Sequence, residues 1–126
     1  MTFEANLVSH LLADGTISGL VGEDITPVVI PEGFTDFPCI TYQRVTGIPT
    51  TDLDGLDGGL INVRVQIDCW DTDYDRMRQL SEAVRMRLQT AASTFRAVTN
   101  FDQDLYEDEA KLHHSLIDAS FWYRST

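Results

Sequence analysis

The stretch LINVRVQIDCW, from Leu60 to Trp70, decides the fold of this chain. After Leu60, apolar or small side chains alternate strictly with polar ones, and the stretch ends on a tryptophan. A period of two is typical of a β-strand with one buried face and one face in water. The alternation stops at residues 71–73, where the apolar spacing changes to that of a helix. The sequence therefore predicts a strand that leads directly into a helix.

That helix is predicted over residues 73–91, with Asp71 or Thr72 as its cap. Apolar side chains recur on one stripe, at ~100° per residue: Tyr74, Met77, Leu80, Val84, Leu88 and Ala91. Four arginines flank the stripe, and their aliphatic stems can cover the edge of the core. Arg78 and Arg85 lie on one side, and Arg76 and Arg87 lie on the other. Met86 falls on the opposite face, where we expect it to be exposed.

Shorter signals predict the remaining elements. Thr2 caps a helix that Asp14-Gly15 ends, and residues 16–22 form a second, short helical turn. The other predictions are an edge strand at 28–30, strands at 39–46, 95–105 and 111–124, a long loop at 47–59 and a turn at 107–110. The fold class is α+β: an antiparallel sheet of about four strands, a long helix packed on one face and a short N-terminal helix. The order is helix, hairpin, helix, hairpin, in a single domain over residues 1–126.

Composition excludes several classes of protein. The chain has 126 residues, of which 43% are hydrophobic, enough for the core of one domain. It lacks a long apolar run, so no membrane span and no membrane partner are expected, and no signal-like segment suggests secretion. The formal net charge is −11, which disfavours a nucleic-acid reader because phosphate binding needs a basic surface. An acidic surface repels DNA or keeps the protein soluble.

The two cysteines, Cys39 and Cys69, each lie inside a predicted strand beside apolar residues. Two reduced thiols in the core are the expectation, and a disulfide across the strands is the alternative.

The sequence carries no signature of catalysis, and no cofactor or metal is expected. It has no phosphate loop, nucleophile elbow or CxxC spacing. His113 and His114 are adjacent on a strand and therefore point to opposite faces, which disfavours a shared metal. The acidic residues around 102–109 are expected to form a solvated turn, and a calcium site is the alternative. The chain is therefore not expected to be an enzyme.

Three features suggest a protein–protein interface: the exposed Met86, the tryptophans Trp70 and Trp122 on the more polar sides of their strands, and the long loop at 47–59. The alternative is that Trp70 covers the start of the predicted helix, that Trp122 packs under the first helix and that Met86 is an isolated exposed residue. The candidate interface residues are Asp52, Asp54, Asp57, Arg64, Trp70, Arg76, Arg78, Arg85, Met86, Arg87 and Trp122.

Four motifs occur in an order that resembles a known family. They are a leucine-rich helix with a glycine-containing turn at 11–22, a strand Pro38-Cys39-Ile40-Thr41-Tyr42-Gln43, the strand Arg64 to Trp70 followed by Tyr74, and a hairpin that closes with Phe121-Trp122-Tyr123. Together they resemble the tail completion, or tail terminator, proteins of long-tailed bacteriophages and gene transfer agents. The likeness covers nearly the whole chain, and the two cysteines depart from the apolar residues expected at their positions.

The resemblance implies a small α+β subunit without catalytic activity. It implies a ring, often a hexamer, at the head-proximal end of the tail tube, where it stops tube polymerisation and joins tail to head. The implied partners are other copies of the chain, the tail tube protein and a head–tail connector protein, with DNA passing through the bore without specific binding. The implied location is the virion, after assembly in the cytoplasm of a bacterial host. The alternatives are another connector or head-completion subunit, and a small acidic enzyme or metal-binding module.

Overall fold

In the computed structural model, residues 2–51, 57–90 and 92–124 are described. These residues form three helices and five strands: α1 (Phe3–Leu12), α2 (Gly15–Val21), β1 (Ile25–Pro27), β2 (Cys39–Thr51), β3 (Asp57–Asp71), α3 (Tyr74–Gln89), β4 (Phe95–Glu107) and β5 (Leu112–Arg124). The α+β class and the order of the main elements agree with the sequence prediction.

The sheet is larger than predicted and is mixed. Its strand order is β1-β2-β3-β5-β4, and β1 runs parallel to β2 while the other pairs are antiparallel. The predicted edge strand at 28–30 is wrong, because the strand lies three residues earlier. Parallel pairing of Ile25 with Ile40 turns the Ile25 side chain into the core, whereas Val28 adopts a φ of 68° that ends the strand.

The core lies between one face of the sheet and all three helices. On β3 it takes Val63, Val65, Ile67 and Cys69, the alternating face predicted from sequence. From α3 it takes Leu80, Val84 and Leu88, while Tyr74, which was expected on this stripe, is 45% exposed. Burying each of these large side chains contributes roughly 1.5–3 kcal/mol, which drives α3 onto the sheet.

Each helix begins after a polar capping residue. Asp73, rather than the predicted Asp71 or Thr72, caps α3, because its carboxylate accepts a hydrogen bond from the Arg76 N–H at 2.9 Å. Thr2 caps α1 as predicted. α1 ends at Leu12 with Ala13 as its C-cap, so the predicted stop at Asp14-Gly15 lies just beyond its end. Asp14 instead caps α2, and Gly15 is the first residue of that helix. None of the described helices is long and apolar enough to cross a membrane.

The predicted loop at 47–59 is largely strand. β2 continues to Thr51, β3 begins at Asp57, and these two residues pair. The β2–β3 hairpin therefore extends beyond Leu60, the residue of β3 that pairs with the end of β5. The prediction failed because the glycines and Pro49 suggested a loop, whereas backbone pairing between two neighbouring long strands stabilises extended chain despite them.

Register shifts in two strands change which face each residue occupies. In β4 a β-bulge lies between Thr99 and Phe101, and in β2 the register shifts between Arg44 and Thr46 and again between Pro49 and Thr51. Before the β4 bulge, odd-numbered residues such as Ala97 face the helices. After it, even-numbered residues do, so Asp102 pairs with the core residue Ile117.

Both cysteines are buried free thiols, as expected. Burial raises the pKa of the Cys39 thiol to about 12 and also raises the pKa of Cys69. Both side chains therefore stay protonated at neutral pH.

Candidate interaction surface

The sheet face opposite the helices, which we call the open face, carries most of the polar candidates. Even-numbered residues of β3 and β5 point there, and among the described residues no helix lies over it. The polar residues of β3 thus face away from the core, as the alternation from Leu60 to Trp70 predicted. Nevertheless, Asp68, His114 and Asp118 on this face are almost fully buried by their neighbours.

Arg64 is held by an ion pair across two strands. Its guanidinium lies 2.7 Å from the Asp118 carboxylate, whose other oxygen accepts a hydrogen bond from Asn100 at 2.7 Å. Asn100 also donates to Ser120 at 2.9 Å. Asn100 lies within the β4 bulge, so this network fastens the bulge to β5. Arg64 remains 45% exposed and keeps donors free to face a partner.

Trp70 closes one end of the open face. Its indole N–H donates to the Thr41 hydroxyl at 3.0 Å, and its ring stacks on His114 with centroids 4.1 Å apart. These contacts pack the Trp70 ring against its own sheet, on the open face, rather than over the helix start. Only its partly exposed outer surface is left for a partner.

Asp68 is a buried carboxylate with incomplete hydrogen bonding. One oxygen accepts a hydrogen bond from Gln66 at 2.9 Å. The other has no hydrogen-bond partner among the described residues, and the His114 ring lies 4.0 Å from it. Burial raises the pKa of Asp68, against the hydrogen bond from Gln66 and the attraction of His114, which lower it.

The α3 arginines nearest the sheet edge pair with β4. Arg78 lies 2.9 Å from Asp104 and Arg85 lies 3.4 Å from Asp102, and both also contact Glu82 within the helix. The acidic residues predicted to form a solvated cluster are thus partly used to join the helix to the strand.

The two arginines on the other side of the α3 stripe are also engaged within the chain. Arg76 makes two hydrogen bonds to Asp71, at 2.5 and 2.7 Å. Burial alone would raise the pKa of Asp71, but Arg76 and the N–H of Asp73 hold this pKa below its ordinary value. Arg87 donates to the His10 carbonyl at 2.7 Å, and the His10 ring contacts the Arg87 carbonyl at 3.0 Å.

The remaining predicted interface residues are spread over the molecule. Met86 is 67% exposed on α3, as expected, and Trp122 is half-buried on the open face of β5. Asp57 begins β3, while Asp52 and Asp54 lie outside the described residues. Of the described candidates, Met86, Trp122 and Asp57 thus lie on three different elements: α3, β5 and the start of β3.

Sequence reasoning missed the apolar surface of β4. Val98, Phe101, Leu105 and Tyr106 are 54%, 51%, 37% and 51% exposed on this edge strand. The signal was present in Phe101-Asp102-Gln103-Asp104-Leu105, where apolar residues at 101 and 105 share a face and acids occupy the other. A strict period of two from Phe95 would have assigned that face to the core.

Within the described ranges, no three His, Cys, Asp or Glu side chains converge as they would around a metal ion. The adjacent residues His113 and His114 point to opposite faces of β5, as predicted. His114 stacks on Trp70, whereas His113 contacts Tyr74 and Tyr106.

The fold and its surfaces can be compared with known proteins. A family model described as tail completion protein gp17 matches residues 5–124. The chain belongs to this family. It is a family of structural phage-tail proteins and not of enzymes. A chain in a solved structure titled "Virion of native gene transfer agent (GTA) particle" has the same fold, with a TM-score of 0.73 at 14% identity over 97% of this chain and 94% of that one. No curated protein shows significant similarity to the chain.

Proposed function

We propose that this chain forms a ring, of six copies as the family resemblance implies, that caps the head-proximal end of a phage-type tail tube. The ring stops tube polymerisation there and presents the surface that joins tail to head. The single observation that carries the proposal is the family match over 120 of the 126 residues, from 5 to 124. The shared fold with a chain of a gene transfer agent virion supports the same location, in the virion.

The partners in this proposal are other copies of the chain, the tail tube protein and a head–tail connector protein. The surface described above suits binding rather than chemistry, since Arg64, Asn100 and Ser120 are joined across strands through hydrogen bonds and an ion pair with Asp118 and with one another. The runner-up is a head-completion or connector subunit of the same particle.

An assembly reaction tests the proposal. The purified chain is added below stoichiometry to the tail tube protein of the same particle, and tube lengths are measured by electron microscopy. We expect shorter tubes with density at one end, and binding of capped tubes to purified heads. Tubes of unchanged length with no end density would contradict the proposal, and binding to heads alone would favour the runner-up.

One candidate contact in the ring is electrostatic. The acidic stretch with Asp52, Asp54 and Asp57 would meet the α3 arginines of a neighbouring copy, in a heterologous contact. Because Arg76, Arg78, Arg85 and Arg87 already have partners in their own chain, this contact requires them to share or exchange those partners.

Charge reversal separates this contact from a general effect of net charge. We expect the double substitution Asp54→Lys with Asp57→Lys to weaken the ring and change its salt dependence. Asp108→Lys with Glu109→Lys gives the same change of charge on the 108–111 turn and serves as the matched control. Unchanged oligomer size and salt dependence in the first variant would refute the contact.

A second candidate role for the negative charge is in the bore. With a net charge of −11, acidic side chains that line the ring would repel passing DNA. A ring structure with a neutral or basic bore would rule this out.

A further inference from the structure

The exposed apolar side chains of this chain gather at the two opposite edges of its sheet. Val98, Phe101, Leu105 and Tyr106 lie on β4, at one edge. Val28, Val29 and Val45, which are 59%, 66% and 48% exposed, lie at the edge formed by β1 and β2. Only Tyr74 and Met86, among the described large apolar residues that are exposed, lie elsewhere, on α3. Exposed apolar surface of this kind marks an interaction site.

Both edges also carry unpaired backbone. β4 is 13 residues long and has β5 on one side and, within the described residues, no strand on the other. β1 covers only residues 40–42 of β2, so residues 43–51 have β3 on one side and no described strand on the other. Free N–H and C=O groups along a strand are a template for pairing with another strand.

The features that usually prevent such pairing cover only part of each edge. Charged residues, prolines, bulges and very short strands are the common devices. β1 is three residues long and ends at Pro27, and the free part of β2 carries Arg44, a bulge and Pro49. β4 has neither lysine nor proline, although it carries Arg96, Glu107 and the bulge at Asn100. Its acids Asp102 and Asp104 are turned towards the α3 arginines, which leaves Val98, Phe101 and Leu105 exposed on the other face.

The strand directions of the two edges also match. β4 is antiparallel to β5, which runs parallel to β2, so β4 and β2 run in opposite directions. In a ring whose axis lies roughly along the strands, rotation preserves each strand's direction. The β4 strand of one copy therefore meets the β2 strand of the next copy in antiparallel register, the regular continuation of this sheet.

Val28 lies where the free edge of β2 begins. Its N–H donates to the Tyr42 carbonyl at 2.8 Å, directly beyond the last residue pair of β1 with β2. A β-branched residue at a φ of 68° is strained, and such strain is characteristic of binding sites. This conformation presents two adjacent exposed valines beside the free edge. A cleft of about 470 Å3 accompanies the β4 edge, between Leu88 of α3 and residues 97–102.

We infer that the occupant of each edge is the other edge of a second copy of this chain: the β4 edge of one subunit pairs with the β2 edge of the next, extending the sheet from copy to copy. The inference rests on the proposed ring and names the contact that closes it. The contact is heterologous, as closed rings of more than two copies require.

Two single substitutions test the inference, because each damages one edge. Phe101→Lys places a charge on β4, and Val45→Lys places one on β2. Both side chains are about half exposed, so the monomer should keep its circular dichroism spectrum and melting temperature. Each variant alone should assemble only at a concentration at least roughly tenfold higher than the wild type, as measured by sedimentation velocity. Loss of a central interface side chain weakens association by about this factor. Val98→Lys should repeat the β4 result, and Gln79→Lys, on the exposed face of α3, should assemble like the wild type.

Mixing the two variants gives the deciding result. The intact β4 edge of Val45→Lys can meet the intact β2 edge of Phe101→Lys, so an equimolar mixture should form a heterodimer and no larger species. A homodimer of either variant alone would overturn the inference, because it would mean that like edges pair. Wild-type-like rings from both variants would also overturn it and leave the edges to a different partner. A wild-type chain that forms no ring, free or on tubes, would instead refute the proposed function.

Discussion

Two aspartates of one strand differ in how burial affects them. Asp68 and Asp71 are three residues apart on β3 and both are buried. Asp71 receives hydrogen bonds from Arg76 and from the N–H of Asp73, which lower its pKa. Asp68 has a raised pKa, and one of its oxygens has no hydrogen-bond partner in the part of the chain that the structure describes. The same side chain therefore stabilises the fold at one position and destabilises it at the other.

Asp71→Asn should destabilise the protein at pH 7 by about 1–3 kcal/mol, because Arg76 loses its charged acceptor. The folded pKa of Asp71 is depressed, so its contribution is present above the unfolded value of ~3.9 and is lost as the pH falls through the folded pKa. Urea denaturation of both proteins at several pH values measures this. A difference that stays constant down to the lowest pH would contradict the ionic role of Asp71.

Asp68→Asn should have the opposite sign, stabilising the protein by about 1 kcal/mol at pH 7, because an amide retains the contact with Gln66 without a buried charge. The folded pKa is raised, so the penalty of the wild-type carboxylate develops as the pH rises from the unfolded value of ~3.9 through the folded pKa. The gain should vanish in acid. Asp108→Asn, on an exposed turn, is the matched control, and a loss of stability at pH 7 in Asp68→Asn would refute the assignment.

At the scale of elements, the cap of α3 can be tested against the residues that the sequence favoured. Asp73→Ala should cost about 1 kcal/mol, because the Arg76 N–H at the helix start loses its acceptor. Thr72→Ala should change the free energy of unfolding by less than ~0.5 kcal/mol, since the Thr72 hydroxyl makes only a 3.4 Å contact with Asp71. Thermal denaturation of the two variants decides this, and the reverse order would show Thr72 to be the cap.

The helices and central strands were predictable because their patterns are long and regular. The alternation from Ile61 to Cys69 and the stripe of Met77, Leu80 and Val84 each repeat several times, so one irregular residue does not hide them. β1 was misplaced because a strand of three residues has too few alternations to detect.

The interaction surface was less predictable for a physical reason. A bulge inserts one residue, so beyond it the even-numbered rather than the odd-numbered side chains face the core. No sequence pattern before Asn100 predicts this change. The arginines were correctly placed on both sides of the helix stripe, but their partners Asp102 and Asp104 depend on that reversal. Pairing partners distant in sequence cannot be read from periodicity.

At the scale of the whole molecule, the two thiols report on global unfolding. Cys39 and Cys69 are buried and their raised pKa values leave little thiolate, the reactive form. We expect neither to react with a thiol reagent at pH 8 within minutes in native buffer, and both to react at once in guanidinium chloride.

Ser93→Cys, at an exposed position after α3, is the control and should react immediately in native buffer. Rapid native reaction of Cys39 alone would show that the open face of the sheet opens locally, and rapid reaction of both would contradict the packing described here.

The fold survives wide divergence of sequence. A chain with 14% identity shares it with a TM-score of 0.73. What the two chains must have in common is therefore the placement of apolar residues and strand pairings rather than particular side chains.

The bulge at Asn100 has an evolutionary consequence. Loss of this one codon would remove the bulge and leave an uninterrupted alternation in β4, with Phe101 and Leu105 still turned outwards and Asp102 and Asp104 still turned towards the α3 arginines. Only the Asn100 contacts with Asp118 and Ser120 would be lost. A gap in an alignment at this position therefore preserves the exterior of the strand, whereas a single-residue insertion or deletion that no bulge absorbs would exchange an apolar exterior for an acidic one.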